Sequence, residues 1–144
     1  MDFVDEILGK LAEHIHQRHF HELETDGVEI KPVPPSNVEW KELYKSVNAF
    51  LNTRGGIVIL GVKEVGSGAL KRYELSGGLE FAEQKLKQIP TVFTDNKRAC
   101  QTLSDCFPPM QIRNLLDGRV CIVYIDELAA DRKFVYYDGV ACGT

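Results

Sequence analysis

The chain has 144 residues, of which 44% are hydrophobic and 26% are charged, and its formal net charge is −4 at pH 7. This composition is that of one globular domain, so collagen-like, coiled-coil and wholly disordered chains are excluded. The negative balance also argues against a protein that coats nucleic acid by bulk charge, although it leaves room for a local basic patch.

Residues 3–18 are predicted to form an amphipathic helix, with Asp2 as its candidate N-cap. Apolar residues recur at spacings of three and four and form one stripe: Phe3, Val4, Ile7, Leu8, Leu11, Ala12 and Ile15. The stripe has to pack on the rest of the domain or on a second copy of the chain. Packing on the chain's own sheet is the favoured alternative.

The end of this helix carries four histidines: His14, His16, His19 and His21. At 100° per residue, His14 and His21 share one face of a helix and the other two share another. The two pairs do not converge on one metal ion while the helix persists. A solvated polar face is therefore favoured over a zinc site.

Strands and helices alternate in the middle of the chain. Residues 27–33 are predicted as a strand, and residues 39–53 as a helix that ends at Gly55-Gly56. The apolar run 57–62 is too short for a helix and predicts a buried central strand. Residues 71–75 are predicted as a short strand and residues 79–89 as a helix.

The remaining sequence predicts a short helix around residues 96–104 and then three strands, at 111–116, 119–125 and 133–137. Asp117-Gly118 and Asp138-Gly139 are the hairpin turn signals. This order of elements predicts an α+β domain with a mixed, mostly antiparallel sheet covered by helices. The four cysteines form no CxxC pair and predict reduced thiols in a cytoplasmic protein. No apolar run approaches the length of a membrane span, so no membrane partner is expected.

Carboxylates lie at the ends of two predicted strands. Glu24, Asp26 and Glu29 surround the start of the first strand, and Glu64 follows the buried strand. Two or three carboxylates that meet at strand ends can hold Mg²⁺ or Mn²⁺ with a water, as in many nucleases. From spacing alone, a solvated strand edge is the favoured alternative.

Two segments resemble the Schlafen-type AlbA-like (AlbA_2) domain family: Glu24-Thr-Asp-Gly-Val-Glu-Ile-Lys31 and Val47-Asn-Ala-Phe-Leu-Asn-Thr-Arg-Gly-Gly-Ile-Val-Ile-Leu-Gly-Val62. The family typically has an E-[ST]-x-x-[VL]-E-F-K strand, a helix that ends in A-F-x-N-T-x-G-G, and a buried strand that ends in G-V-D. Pro109 and the segments 117–125 and 132–139 are similar to its closing part. The resemblance divides the chain into an N-terminal amphipathic helix, residues 1–21, and a Schlafen AlbA-like domain, residues 22–144.

The resemblance implies a nucleic-acid-binding domain, on DNA or RNA, of a bacterial transcriptional regulator or ATP-binding protein. The candidate contacts are Lys31, Arg54, Lys63, Lys71, Arg72 and Asn52. Two roles are considered for Asn52: a structural hydrogen bond near Gly55-Gly56 at the helix end, or a direct hydrogen bond to the ligand. The structural role is favoured.

A second expectation from the resemblance is a metal-dependent endoribonuclease that acts on structured RNA. Animal Schlafen proteins use three acidic residues for this reaction, and two of them match Glu24 and Glu29, which would be the ligands of Mg²⁺ or Mn²⁺. The third position is Lys63, a cation that opposes a metal ion, so Glu64 or Asp26 would have to replace it. The third expectation is a non-catalytic interaction module that forms a homodimer through the helix 3–18.

Overall fold

The structure is a computed structural model that describes residues 3–18 and 20–137. The predicted cap Asp2, the histidine His19 and the predicted turn Asp138-Gly139 lie outside these residues. The helices and strands of the described part are, in chain order, α1 (Phe3–Gln17), β1 (Val28–Lys31), α2 (Asn37–Asn52), β2 (Gly56–Leu60), β3 (Val62–Val65), β4 (Arg72–Leu75), α3 (Glu83–Gln88), β5 (Gln111–Leu115) and β6 (Gly118–Ile125).

Four strands form the main sheet, in the order β1-β2-β6-β5. β1 and β2 are parallel, because α2 crosses over between them, and the other neighbours are antiparallel. β3 and β4 form a separate antiparallel pair. The predicted α+β fold with a mixed, mostly antiparallel sheet and covering helices is confirmed.

Each face of the main sheet has its own apolar core. On one face, α2 and α3 cover Val58, Leu60 and Val123. On the other face, the stripe of α1 packs over β1, β2 and β6, and Leu11 is completely buried. An ion pair between Asp5 of α1 and Arg113 of β5 adds to this contact. Val4, Ile7, Leu8 and Leu11 of the stripe are thus buried within the chain, whereas Phe3 is exposed. A homodimer and the boundary at residue 21 stay predictions.

The predicted central strand 57–62 is divided in two at Gly61. Gly61 has a φ of +121°, a conformation that favours glycine, and a Cβ there would lie 3.1 Å from the Arg119 carbonyl oxygen. The chain leaves the main sheet at this residue and enters β3, a strand that the sequence pattern did not predict.

Four further predictions need correction. The helix 79–89 is broken into a 3₁₀ turn, α3 and a second 3₁₀ turn at Pro90. Residues 96–104 form a loop that ends in a 3₁₀ turn, and residues 133–137 form an extended segment with a single bridge between Tyr136 and Thr94. Cys100 is disulfide-bonded, in contrast to the reduced thiol that was predicted, whereas Cys106 and Cys121 are free thiols as predicted.

None of the described helices is long and apolar enough to cross a membrane.

Candidate functional site

Glu24 lies beside the outer edge of β1. A tight turn joins Thr25 to Val28 through two backbone hydrogen bonds of 3.2 Å. After this turn, the Ile30 amide donates a hydrogen bond to Glu24 Oε1 at 3.1 Å, so the carboxylate pairs with a backbone amide on the edge of the sheet. Burial raises the pKa of Glu24, while this hydrogen bond and the charge of Lys31 lower it. Glu22 and Glu29 are close enough to raise it further.

Glu29 is directed toward the face of the sheet that α2 covers. Val28 and Ile30 alternate with Glu29 along β1 and belong to the α1 core. The Oε2 atom of Glu29 is buried and has no hydrogen-bond partner among the described residues. Burial of a carboxylate oxygen is costly unless a hydrogen-bond donor is provided.

Glu64 lies on β3 and, like Glu24, is close to Tyr73. It lies opposite Tyr73 of β4 and forms an ion pair of 3.6 Å with Lys71. The Tyr73 hydroxyl accepts a 3.1 Å hydrogen bond from the Leu23 amide. Burial raises the pKa of Tyr73 to about 12, and the charges of Glu22, Glu64 and Glu24 add to this rise. Glu64 thus stands on β3, beyond the break at Gly61, and not at the end of the buried strand itself.

These carboxylates do not fit Mg²⁺ or Mn²⁺ as they are arranged. Within residues 3–18 and 20–137, no group of three or more His, Cys, Asp or Glu side chains could hold a metal ion. Glu24 Oε1 is bonded to the Ile30 amide, and Glu64 is paired with a lysine. The assignment of Glu24 and Glu29 as ligands therefore stays a prediction, and Asp26 is paired elsewhere.

The predicted basic contacts differ in how far carboxylates already neutralise them. Arg54 at the end of α2 pairs with Asp26 at 3.3 Å, and both side chains are largely exposed. Arg72 pairs with Glu74 at 2.9 Å, and Lys71 lies 4.3 Å from the centroid of the Phe20 ring in addition to its pair with Glu64. Lys31 lies near Glu24 and is half-buried.

Lys63 differs from these residues. It is exposed on β3, and it forms no ion pair within the part of the chain that the structure describes. Its partner across the ladder is Glu74, which is bonded to Arg72. Val65 and Arg72 form the next pair on the same face. We call the exposed surface formed by Lys63, Val65, Arg72 and Glu74 the hairpin face.

Asn52 is fully engaged with the protein backbone. Its Nδ2 donates to the Val135 carbonyl oxygen at 2.8 Å, and its Oδ1 accepts from the Val135 amide at 3.0 Å. The expected partner near Gly55-Gly56 was wrong, because the partner lies 83 residues away. Position 55 requires glycine for a steric reason. Gly55 has a φ of +74°, and a Cβ on it would lie 2.6 Å from the Ile125 carbonyl oxygen.

The histidines are divided between the core and the solvent. His14 is buried against Tyr73, with ring centroids 6.4 Å apart. The ring of His21 packs edge-on against the ring of His14, with centroids 6.1 Å apart. His16 is exposed. His14 and His21 were expected on one helical face, but α1 ends at Gln17 and His21 reaches His14 from the segment that follows.

Tyr73 is the residue at this site that sequence reasoning missed. It is 1% exposed, and the hydrogen bond from the Leu23 amide to its hydroxyl links the segment before β1 to β4. The alternation of Arg72, Tyr73, Glu74 and Leu75 indicates a strand, yet nothing in it marks the tyrosine as the centre of a carboxylate cluster.

Comparison with known proteins supports the resemblance. The Schlafen AlbA_2 family model matches residues 24–141. The structure is similar to the solution NMR structure of the N-terminal domain of an ATP-dependent DNA helicase RecG-related protein from Nitrosomonas europaea. That match has 19% identity and a TM-score of 0.62, and it covers 100% of this chain and 87% of the other.

A second structure, the DIP2311 protein from Corynebacterium diphtheriae, matches at 17% identity and a TM-score of 0.42, over 89% of this chain and 27% of the other. Comparison with curated proteins gives no significant match. Because the family model covers more than half of its length, the chain belongs to the Schlafen AlbA_2 family.

Proposed function

We propose that this Schlafen AlbA_2 domain binds nucleic acid, and that the hairpin face supplies the phosphate contacts. The observation that carries the proposal is Lys63, an exposed cation without an ion pair in the described structure, on a surface that also holds Arg72. Family membership supports the same function.

The shape of the hairpin supports this assignment. β3 and β4 form a two-stranded ribbon that lies outside the main sheet. A two-stranded ribbon fits the major groove of duplex DNA, where its outward side chains meet base edges and phosphates. The other side of the ribbon is fixed to the domain, since Val62 and Tyr73 are buried in the α1 core. The hairpin face is therefore presented rigidly.

Binding has to be local, because the chain as a whole carries a net charge of −4. Lys71 and Arg72 are paired with Glu64 and Glu74, so a phosphate must compete with these carboxylates. We infer a modest affinity with a small number of phosphate contacts. The finer role, DNA binding within a bacterial transcriptional regulator or ATP-binding protein, is part of the same proposal and rests on the family resemblance.

The salt dependence of binding tests the proposal. Fluorescence anisotropy would be measured with a DNA duplex and an RNA duplex of the same sequence over a range of salt concentrations. Each neutralised phosphate contributes a slope of about −0.9 to the plot of log K against log salt. Lys63→Ala should weaken binding and reduce the slope by about 1.

Lys45→Ala is the matched control. Lys45 is also an exposed lysine, but it lies on α2 and is paired with Glu42 at 3.4 Å. The control should leave both the affinity and the slope unchanged. If the wild-type chain shows no binding at low salt, the proposed function is refuted, and equal effects of both variants would refute the role of the hairpin face.

The second candidate is an endoribonuclease, which one observation favours. Glu24 and Glu64 both lie close enough to Tyr73 to shift the pKa of its hydroxyl, and Glu29 lies close to Glu24. Glu29 lies on the α2 side of the sheet and Tyr73 in the α1 core, so the three carboxylates would have to rearrange to share a metal ion. This candidate predicts cleavage of structured RNA with Mn²⁺ or Mg²⁺ added, lost in Glu29→Gln while RNA binding persists. No cleavage by the wild-type chain with either ion would exclude it.

A further inference from the structure

Residues 133–137 form an extended segment, the strap, which is attached to the domain along its length. The Lys133 Nζ atom lies 3.4 Å from the Thr53 carbonyl oxygen at the end of α2. Val135 is bonded to Asn52 through both backbone groups. The ring of Tyr137 meets that of Tyr44 edge-on at 5.3 Å. The strap therefore runs back along α2, with its alternate residues directed toward the helix.

The opposite side of the strap is fixed as well. The backbone groups of Tyr136 and Thr94 exchange two hydrogen bonds of 2.9 and 3.0 Å. Thr94 is also bridged to Cys100 on its other side. The strap is thus held between α2 and the segment around Thr94, so the positions of its outward side chains are set in advance.

Those outward side chains are two aromatic rings. Phe134 is 57% exposed and Tyr136 is 45% exposed, whereas Val135 between them is only 2% exposed. Residues i and i+2 of an extended chain lie on the same side, about 6.6 Å apart. This spacing leaves room for one flat base between the rings or for one base on each. Each ring also lines a groove, of about 330 Å³ at Phe134 and about 290 Å³ at Tyr136.

Two cations, Lys97 and Arg98, lie on the loop that follows Thr94. Lys97 and Arg98 are exposed, and neither forms an ion pair among the residues that the structure describes. Asp95 fixes this loop, because its Oδ1 accepts from the amides of Lys97 and Ala99 at 2.8 and 2.9 Å. Arg98 lines the same groove as Tyr136.

Within residues 3–18 and 20–137, no acidic side chain forms an ion pair with either cation. Asp95 is occupied by the amides of its own loop and by Gln101. Asp131 lines the groove at Phe134, where Arg132 and Lys133 are also present. A ligand that offers flat apolar rings and negative charges at regular spacing matches this combination of aromatic rings and cations.

We propose that Phe134 and Tyr136 form a stacking platform for unpaired bases of a single-stranded nucleic acid, and that Lys97 and Arg98 bind its phosphates. The proposal rests on the proposed nucleic-acid function and adds a second, separate site with a substrate class of its own. Bases in a duplex are stacked on each other and cannot reach rings on a strap, whereas unpaired bases can. Phosphate spacing along the strand then brings the backbone to the loop of Arg98.

The test compares single strands with duplexes. Anisotropy would be measured with labelled oligo(dT) and oligo(U) twelve nucleotides long, and with a duplex of the same length. Phe134→Ala and Tyr136→Ala should each weaken single-strand binding by about tenfold, since one stacked base contributes roughly that factor. Duplex binding should change less than twofold. Phe134→Trp should retain single-strand binding, because a larger ring still stacks.

Two further variants control this test. Ile112→Ala removes an apolar side chain of similar exposure, 54%, from β5 and should have no effect. Arg98→Asn removes the cation with a residue that tolerates the φ of +63° at this position. It should weaken single-strand binding and reduce its salt slope by about 1. A single strand carrying 2-aminopurine should lose fluorescence on binding to the wild type and not on binding to the double variant Phe134→Ala/Tyr136→Ala.

Failure of this proposal can be separated from failure of the proposed function. If the wild type binds neither duplex nor single strand, both are refuted. If duplex binding depends on Lys63 but single-strand binding is unchanged in the double variant Phe134→Ala/Tyr136→Ala, only the stacking platform is overturned, as it would be for rings that contact a protein partner. An equal loss of duplex and single-strand binding in that variant would also overturn it.

Discussion

The substitution Asn52→Ala tests how the last described segment is attached to α2. The wild-type side chain satisfies both the amide and the carbonyl group of Val135, at 3.0 and 2.8 Å. Val135 is 2% exposed and packs in the α2 core. Alanine supplies no replacement donor or acceptor, so both backbone groups lose their partners at once.

The expected cost follows from these two groups. A buried polar group that loses its partner costs about 1–3 kcal/mol. Two such groups, one with a donor and one with an acceptor, predict a loss of about 2–6 kcal/mol in the free energy of unfolding. For a chain of this size, that loss corresponds to a fall in melting temperature of roughly 6–18 °C.

Urea unfolding measures this loss directly. Trp40 is the only tryptophan, lies on α2 and is 6% exposed, so its fluorescence reports the core that the strap covers. Asn48→Ala is the control, one helical turn earlier on the same side of α2. The Oδ1 atom of Asn48 is buried without a partner among the described residues, so its removal should cost little.

A second variant, Asn52→Asp, makes the prediction depend on pH. A carboxylate still accepts from the Val135 amide but repels the Val135 carbonyl oxygen, whereas the protonated acid can donate to that oxygen. The pKa of the introduced carboxyl should therefore be higher in the folded state than in the unfolded state. The stability of the Asn52→Asp variant should be greatest below the pKa of this carboxyl in the unfolded state, and it should fall as the pH rises through the pKa in the folded state. If Asn52→Ala costs no more than Asn48→Ala, the reasoning is refuted.

Three further predictions concern the turn, the carboxylates and the tyrosine. Gly55→Ala should cost more than about 2 kcal/mol, because φ is +74° and a backbone oxygen lies 2.6 Å from the new Cβ, whereas Gly27→Ala meets nothing within 4 Å and should be nearly neutral in urea unfolding. Burial raises the pKa of Glu24 above 4.5, so the free energy of unfolding of the wild type should fall relative to that of Glu24→Gln as the pH rises from about 4.5. A difference in unfolding free energy that stays constant between pH 4 and pH 7 would contradict this. Tyr73→Phe removes the acceptor of the Leu23 amide and should cost about 1 kcal/mol; an unchanged melting temperature would argue against that hydrogen bond.

The periodic elements of the fold could be predicted from the sequence because each buries a face of its own. The stripe of α1 and the apolar face of α2 recur at helical spacing, and both are buried as expected. The run 57–62 was read as one strand because its apolar pattern has no gap. Pattern alone does not show that Gly61 adopts a φ of +121° and moves the chain into a second sheet.

The parts that could not be predicted depend on partners that are distant in sequence. The aromatic pattern of 133–137 suggests a strand, but the strap is held by a side chain on α2 and by a single bridge to Thr94. The loop at Asp95 is likewise fixed by one carboxylate that caps its own amides, where a helix was expected. The closeness of Tyr73 to Glu24 and Glu64 could not be predicted either, because it depends on how β4 pairs with β3.

Asn52 connects the stability of the strap with its proposed use. Since the asparagine holds Val135, it also sets the positions of Phe134 and Tyr136 on either side, although it lies on α2 and bonds only to the backbone. Asn52→Ala should therefore weaken the binding of oligo(dT) even at temperatures where the variant is fully folded, and should leave the duplex affinity of the hairpin face unchanged. Asn48→Ala should change neither. Equal losses on single strand and duplex in Asn52→Ala would instead indicate a direct contact between Asn52 and nucleic acid, and would contradict the structural role.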